Sequence, residues 1–250
     1  MSETPINYPD GSVVILNFDP KKHYYNVEGS YVPSVTTILN SIAKPALIPW
    51  AVKMGAEWYQ ENHDKGLTVE EVMKGIKGAH RKRSTDALEV GKMVHDWCEK
   101  AINWKLGRGE IPDMPEHEAA ENSINAFRGW VKENDVEWIT SEEKVYSKEH
   151  NYAGTIDAVA KVNGEFSVID FKTSAAVYNA YHLQCAAYGQ CVREVYGKEI
   201  DSSYILRFDK KTGAFESVRS NEFAENFKAF YGFLCGYLRL TELDNRNKRK

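Results

Sequence analysis

Residues 152–174 read YAGTIDAVAKVNGEFSVIDFKTS. Two β-rich runs flank Asn163-Gly164, a dipeptide that tolerates the positive-φ positions of a two-residue type I′ hairpin turn. Such a turn fixes the register of its strands. Val162 then faces Glu165, and five residues further along each strand Asp157 falls opposite Asp170. Directly opposed residues hold their Cβ atoms about 4.5–5.5 Å apart on one face. Ile156, Ala158, Ile169 and Phe171 flank the two aspartates, so the strands read as buried on both faces.

Two buried carboxylates cannot both stay charged and unpaired without a large cost. A divalent metal between them is the natural remedy, because Mg²⁺ takes one or two carboxylates plus waters and phosphate oxygens. The plainer alternatives are a solvated acidic pair at a sheet end, or an aspartate paired with a nearby lysine. Lys172 lies two residues beyond Asp170 and points to the same face. An ammonium there can orient or help deprotonate a water and stabilise charge developing on a phosphate. The set has the parts for metal-assisted hydrolysis of a phosphodiester.

Working outward, residues 136–147 precede the hairpin as a third strand. A helix over 175–196 follows and ends at Gly197. Strands at 202–208 and 214–219 flank a turn at Lys211-Thr212-Gly213, and a last helix spans 221–240. Upstream, 12–18 reads as a strand and 22–32 as a small hairpin turning at Glu28-Gly29. Ser34 caps a helix that Pro45 and Pro49 end. Further helices are predicted over 49–61, 68–77, 86–105 (capped by Ser84 or Thr85) and 115–133. In the third of these, Val90, Val94, Trp97, Cys98, Ala101 and Ile102 recur at helical spacing. Helices before and after a β-meander predict an α/β fold, with a helical N-terminal elaboration over 1–84, a core over 85–220 and a C-terminal helix and tail over 221–250.

The 250 residues are 42% hydrophobic and 27% charged, enough for one sizeable core. The net charge of −4 excludes a broadly basic nucleic-acid binder; any positive charge meeting a polyanion is local or supplied by metal. The basic run is His80-Arg81-Lys82-Arg83, preceded by Lys74 and Lys77. It is either a solvated face or a phosphate contact. Tyr178, Tyr181 and His182 are placed to stack on a base or to pack in the core. No apolar run approaches membrane-spanning length and the N-terminus has no leader pattern, so the expected compartment is cytoplasm. Cys98, Cys185, Cys191 and Cys235 form no C-x-x-C pair and read as free buried thiols. No Gly-x-x-x-x-Gly-Lys-Ser/Thr loop for nucleotide phosphates occurs.

Gly154-Thr155-Ile156-Asp157 followed by Asp170-Phe171-Lys172 resembles the PD-(D/E)XK nuclease superfamily. No proline precedes Asp157, and Gly-x-x-Asp is the form of the RecB-like branch. Gly91-Lys92-Met93-Val94-His95 resembles that branch's helix motif ending in a histidine, and Gln184-Cys185-Ala186-Ala187-Tyr188 matches its Gln-x-x-x-Tyr motif. VPSVTTIL with KPALIPWAVKMGAEW is similar to the start of bacteriophage exonuclease-like members.

The resemblance implies a restriction-endonuclease-like core. It also implies one or two Mg²⁺ or Mn²⁺ ions held by His95, Asp157, Asp170 and the Phe171 carbonyl, with Lys172 orienting the attacking water. Gln184 and Tyr188 would line the catalytic pocket. Glu142, rather than Glu143, would be a further acid; the basic run, read from its charge as a phosphate contact, would put Arg81, Lys82 and Arg83 on DNA. Some RecB-like nucleases carry a four-cysteine iron–sulfur cluster; the cysteine spacing here does not resemble theirs, and none is expected. The activity implied is DNA hydrolysis, with an exonuclease of phage recombination, repair or degradation in first place. A single-strand-annealing recombination protein is the partner the resemblance allows. A structure-specific or nicking endonuclease, and a non-catalytic DNA-binding protein on the same fold, stay open as alternatives.

Overall fold

The computed structural model describes residues 2–22, 24–45, 47–209 and 214–248, and at helix positions 82–88 the backbone alone. A four-stranded antiparallel meander comes first: β1 (Ser2–Asn7), β2 (Val13–Asp19), β3 (Tyr24–Val27) and β4 (Ser30–Val32). β1 was not foreseen, because SETPIN lacks the alternation that marks a strand; it forms by pairing with β2. The turn between β3 and β4 falls at Glu28 and Gly29 (φ 51° and 81°), as the sequence predicts. Ser34 then caps α1 (Val35–Asn40), its hydroxyl accepting the Thr37 amide at 3.0 Å.

α2 (Leu47–Asn62) leads to α3 (Val69–Lys105), and here the structure corrects the sequence reading. Two helices were predicted with a cap at Ser84 or Thr85; one 37-residue helix runs through both positions. Its N-terminus is Thr68, which forms a capping box with Glu71: the Glu71 amide donates to Thr68 Oγ1 at 3.3 Å and the Thr68 amide to Glu71 Oε2 at 2.8 Å. A serine or threonine caps only where the preceding chain leaves the helix, and residues 78–85 hold no proline to force it out. The boundary drawn between elaboration and core at 84/85 therefore lies inside α3.

After α4 (Glu118–Glu133), the second sheet has the order β5 (Val136–Ser147), β6 (Tyr152–Val162), β7 (Glu165–Lys172), β8 (Ser202–Phe208), β9 (Phe215–Ser220). The pair β7–β8 is parallel and the other three are antiparallel. Parallel neighbours need a long crossover, which α5 (Asn179–Tyr196) supplies. α5 stops at Gly197 in the left-handed region (φ 63°). α6 (Phe223–Lys248) closes the chain and runs past the predicted end at 240. The expected turn at 211–213 lies outside the described residues.

The fold is α/β: a mixed five-stranded sheet with helices on both faces. One face packs Ile156, Val159 and Val168 under α1, α5 and α6 through Ile38, Ala187 and Phe230. The other packs Ala158, Ile169 and Phe171 under α3 and α4 through Val94, Cys98 and Phe127. Full burial of each large apolar side chain stabilises by about 1.5–3 kcal/mol. The first sheet joins the second through Leu16, Tyr25, Tyr146 and Ala153, and the Tyr8 hydroxyl donates to the Tyr146 carbonyl at 2.9 Å. Cys98, Cys185 and Cys191 are buried; Cys235 is exposed, against expectation, because α6 turns that side to solvent. Among the described residues no helix is long and apolar enough to cross a membrane.

Candidate active site

Asn163 and Gly164 have φ of 52° and 82°, the two positive values a type I′ turn needs. The hairpin keeps the predicted register from Val162–Glu165 to Ala158–Ile169. Beyond that pair the ladder opens. Asp157 does not simply face Asp170; its Oδ2 accepts the Phe171 amide at 2.7 Å. On the other edge of β6, the pairs Ser141–Ala158 and Glu143–Ile156 leave Glu142 opposite Asp157. Glu142 has φ 50°, which costs a non-glycine residue about 1–3 kcal/mol and is the kind of strain found at functional sites. Glu143 turns the other way and accepts the Tyr196 hydroxyl at 2.7 Å.

α3 brings in the histidine. A Cβ at Gly91 would stand 2.4 Å from Thr173 Oγ1, so glycine lets the helix lie against the exit of β7 without displacing that hydroxyl. One turn further on, the His95 ring meets the Phe171 ring edge-on at 5.8 Å, and its Nδ1 is 4.0 Å from Asp157 Oδ2. One ligand atom from each of His95, Glu142 and Asp157 lies within 4.8 Å of the other two. An imidazole nitrogen with two carboxylates is a donor set that can hold a divalent metal ion.

Asp170 forms the adjoining group. It is 1% exposed. The Lys172 ammonium lies 2.7 Å from each of its oxygens, donating in good geometry to Oδ1, and Gln184 Nε2 also donates to Oδ1 at 3.1 Å. Oδ2 is buried and, beside the Lys172 ammonium 2.7 Å away, receives no well-directed hydrogen bond among the described residues. Gln184 Nε2 also lies 3.4 Å from the Tyr188 hydroxyl. The Tyr188 ring fills the space above Gly154, where a Cβ would come within 2.6 Å of it; this is a packing reason for glycine three residues before Asp157. The lysine pairing left open at the sequence level is thus what Asp170 has. The cation-sized cluster lies beside it, at His95, Glu142 and Asp157.

Burial pushes Glu142 up to about 8, with Asp157, Glu99 and Asp96 adding to the effect and Lys144 opposing it. Burial likewise raises Asp170, with Lys172 opposing and Asp157 adding. Burial would lower Lys172, but Asp170 and Asp157 outweigh it and hold the ammonium above its ordinary value. Without metal, Glu142 in the folded chain keeps its proton up to about pH 8, whereas the unfolded chain releases it near 4.5. Stability therefore falls as pH rises through that window. Glu142→Gln, neutral throughout, is expected to match the wild type in urea unfolding at pH 5. At pH 8.5 in chelator it should exceed the wild type by about 1–2 kcal/mol, a figure discounted for partial exposure. Equal stability at both pH values would contradict this.

Glu99 is the carboxylate that the sequence reading missed. It lies one turn beyond His95 on the same helix side, and the i, i+4 spacing was the available signal. Arg81 is exposed on α3, while the side chains of Lys82 and Arg83 lie outside the described residues. Tyr178 is exposed and meets Tyr181 edge-on at 5.6 Å; Lys172 Nζ stands 4.9 Å above the Tyr181 ring.

No family model and no curated protein matches the chain. Among solved structures, a candidate exonuclease from Eubacterium rectale is similar over 62% of this chain and 67% of its own, at 15% identity and a TM-score of 0.41. LHK-Exo in complex with dAMP is similar over 64% of this chain and 90% of its own, at 12% identity and a TM-score of 0.32. Likeness at this level leaves the activity to be argued from the residues of the site itself.

Proposed function

We propose that the chain is a metal-dependent DNA nuclease whose centre is His95, Glu142, Asp157, Asp170 and Lys172. The observation that supports it most is the convergence of His95, Glu142 and Asp157 to within 4.8 Å, beside the buried Asp170–Lys172 pair. His95, Glu142, Asp157 and Asp170, with the Phe171 carbonyl, would hold one or two Mg²⁺ or Mn²⁺ ions. A divalent ion there supplies Lewis-acid charge to a phosphate and lowers the pKa of a water.

The chain's own groups do the rest. Lys172, kept protonated by Asp170 and Asp157, offers a cation to charge developing on the phosphate and a donor to orient water. Gln184 holds Asp170 in place from α5, and Tyr188 backs Gln184. Exposed Tyr178 offers a face on which an unpaired base can stack.

An exonuclease acting from DNA ends in phage recombination, repair or degradation is the form this reading takes, following the motif resemblance. The test is digestion of end-labelled linear DNA and of closed circular DNA with Mg²⁺, Mn²⁺ or chelator. Loss of linear DNA alone, and only with metal, is expected. Cutting of the circle would make the enzyme an endonuclease. No metal-dependent cutting of either substrate would overturn the proposal.

A further inference from the structure

Because α3 runs unbroken from Val69 to Lys105, residues far apart in the chain share one of its sides. At 3.6 residues per turn, eighteen residues make five whole turns. Lys77 and His95 are separated by that interval, and so are Lys74 and Lys92. Arg81 follows Lys74 by close to two turns. The side of α3 that carries His95 into the site therefore carries Lys92, Arg81, Lys77 and Lys74 behind it, over about 30 Å.

Packing occupies the opposite side. Near the start of the helix, Gly75 lies against the Trp58 ring and Ile76 against Gly55, both on α2. Farther along, Val90, Val94 and Cys98 enter the core. Lys74, Lys77, Arg81 and Lys92 are all exposed. Among the described residues, Lys74, Lys77 and Lys92 meet no carboxylate in an ion pair. Glu70 reaches this side only beyond the far end of the row. A solvated helix face normally mixes signs and carries i, i+4 pairs. In a chain of net charge −4, three lysines without a carboxylate partner among the described residues, on the helix side that leads to the candidate metal cluster, are the local positive charge a polyanion would require.

We propose that this row is a track for the sugar–phosphate backbone of the DNA leading to the scissile bond, a reading that rests on the nuclease assignment above. Cations spaced along a rigid rod fix the position of a backbone without reading its sequence. Lys92 is within one turn of His95, and Lys74 is about 30 Å away. At about 3.4 Å per base pair, a substrate must extend about nine pairs beyond the cut to reach the far end. A substrate of a few nucleotides occupies the site and misses the row.

The test compares wild type with Lys74→Glu/Lys77→Glu on labelled 30-mers, single-stranded and duplex, and on a 4-mer, with circular dichroism to confirm the fold. The ratio of kcat/KM on the long substrate to that on the short one is expected to fall about tenfold or more. The form of 30-mer that shows the fall identifies what the track holds. In chelator, fluorescence anisotropy of a 30-mer with Lys74→Ala/Lys77→Ala should give a shallower dependence of log K on log salt, by about 0.7–0.9 for each phosphate no longer neutralised. An unchanged ratio together with an unchanged slope overturns the track. Wild type that cuts neither length with metal overturns the nuclease reading instead, and the salt slope still decides whether the row binds DNA.

Discussion

Asp157→Asn is expected to lower metal-dependent DNA cleavage by about a thousandfold or more while leaving the fold intact. The carboxylate sits between two neighbours that need it differently. Its Oδ2 accepts the Phe171 amide at 2.7 Å, and an asparagine oxygen can keep that bond. The negative charge shared with Glu142 and His95 has no substitute in an amide. Losing several kcal/mol of charge stabilisation at the reacting phosphate corresponds to that factor in rate. Metal-free stability should hold below about pH 8 and rise slightly above it, where Glu142 ionises and would otherwise face a like charge. The measurements are initial rates on end-labelled DNA, Mn²⁺ titration calorimetry and urea unfolding in chelator. Weakened Mn²⁺ binding should accompany the lost rate. Cleavage within tenfold of wild type would remove Asp157 from the centre. Asp170→Asn is expected to abolish cleavage in the same way.

Lys172→Ala should separate turnover from metal binding. The ammonium is not in the cluster of His95, Glu142 and Asp157, so Mn²⁺ affinity is expected to stay close to wild type. Turnover should fall by about 10²–10⁴-fold, the range for losing one positioned acid–base or charge-stabilising group. The variant also leaves Asp170, 1% exposed, with Gln184 as its remaining donor. Breaking a buried ion pair costs about 3–5 kcal/mol when the survivor stays charged. Asp170 can escape by taking a proton, and burial already raises its proton affinity. The sign follows: a carboxyl raised above its unfolded value loses stability as pH climbs between the two values. The loss in Lys172→Ala should thus be small near pH 5 and grow toward pH 8.5 in metal-free urea unfolding. Wild-type turnover in this variant would end the role assigned to Lys172, and a pH-independent stability loss would end the account of the pair.

Much of the five-stranded sheet was legible because its signals are local. Asn163-Gly164 sets a turn that only certain residues tolerate, and that turn alone carries the register out to Ala158 and Ile169. The bounds of β5, β6 and β7 match those read from sequence. The capping of α1 by Ser34 and the stop of α5 at Gly197 were legible for the same reason: each depends on one residue and its immediate neighbours. β1 was hidden because it depends on a partner strand. The joined α3 was hidden because Ser84 and Thr85 look like caps until the capping box at Thr68 is seen.

The sequence by itself determined the hairpin and the α/β alternation, and it supplied most of the candidate side chains for the site. It could not determine which of them come together. Past Ala158–Ile169 the ladder opens, so Asp170 is handed to Lys172 and Gln184 while Asp157 is handed to Phe171, Glu142 and His95. That partition depends on two close approaches between distant segments, α3 on Thr173 at Gly91 and Tyr188 over Gly154. A glycine in sequence records that something must come near, and only the packed chain shows what does.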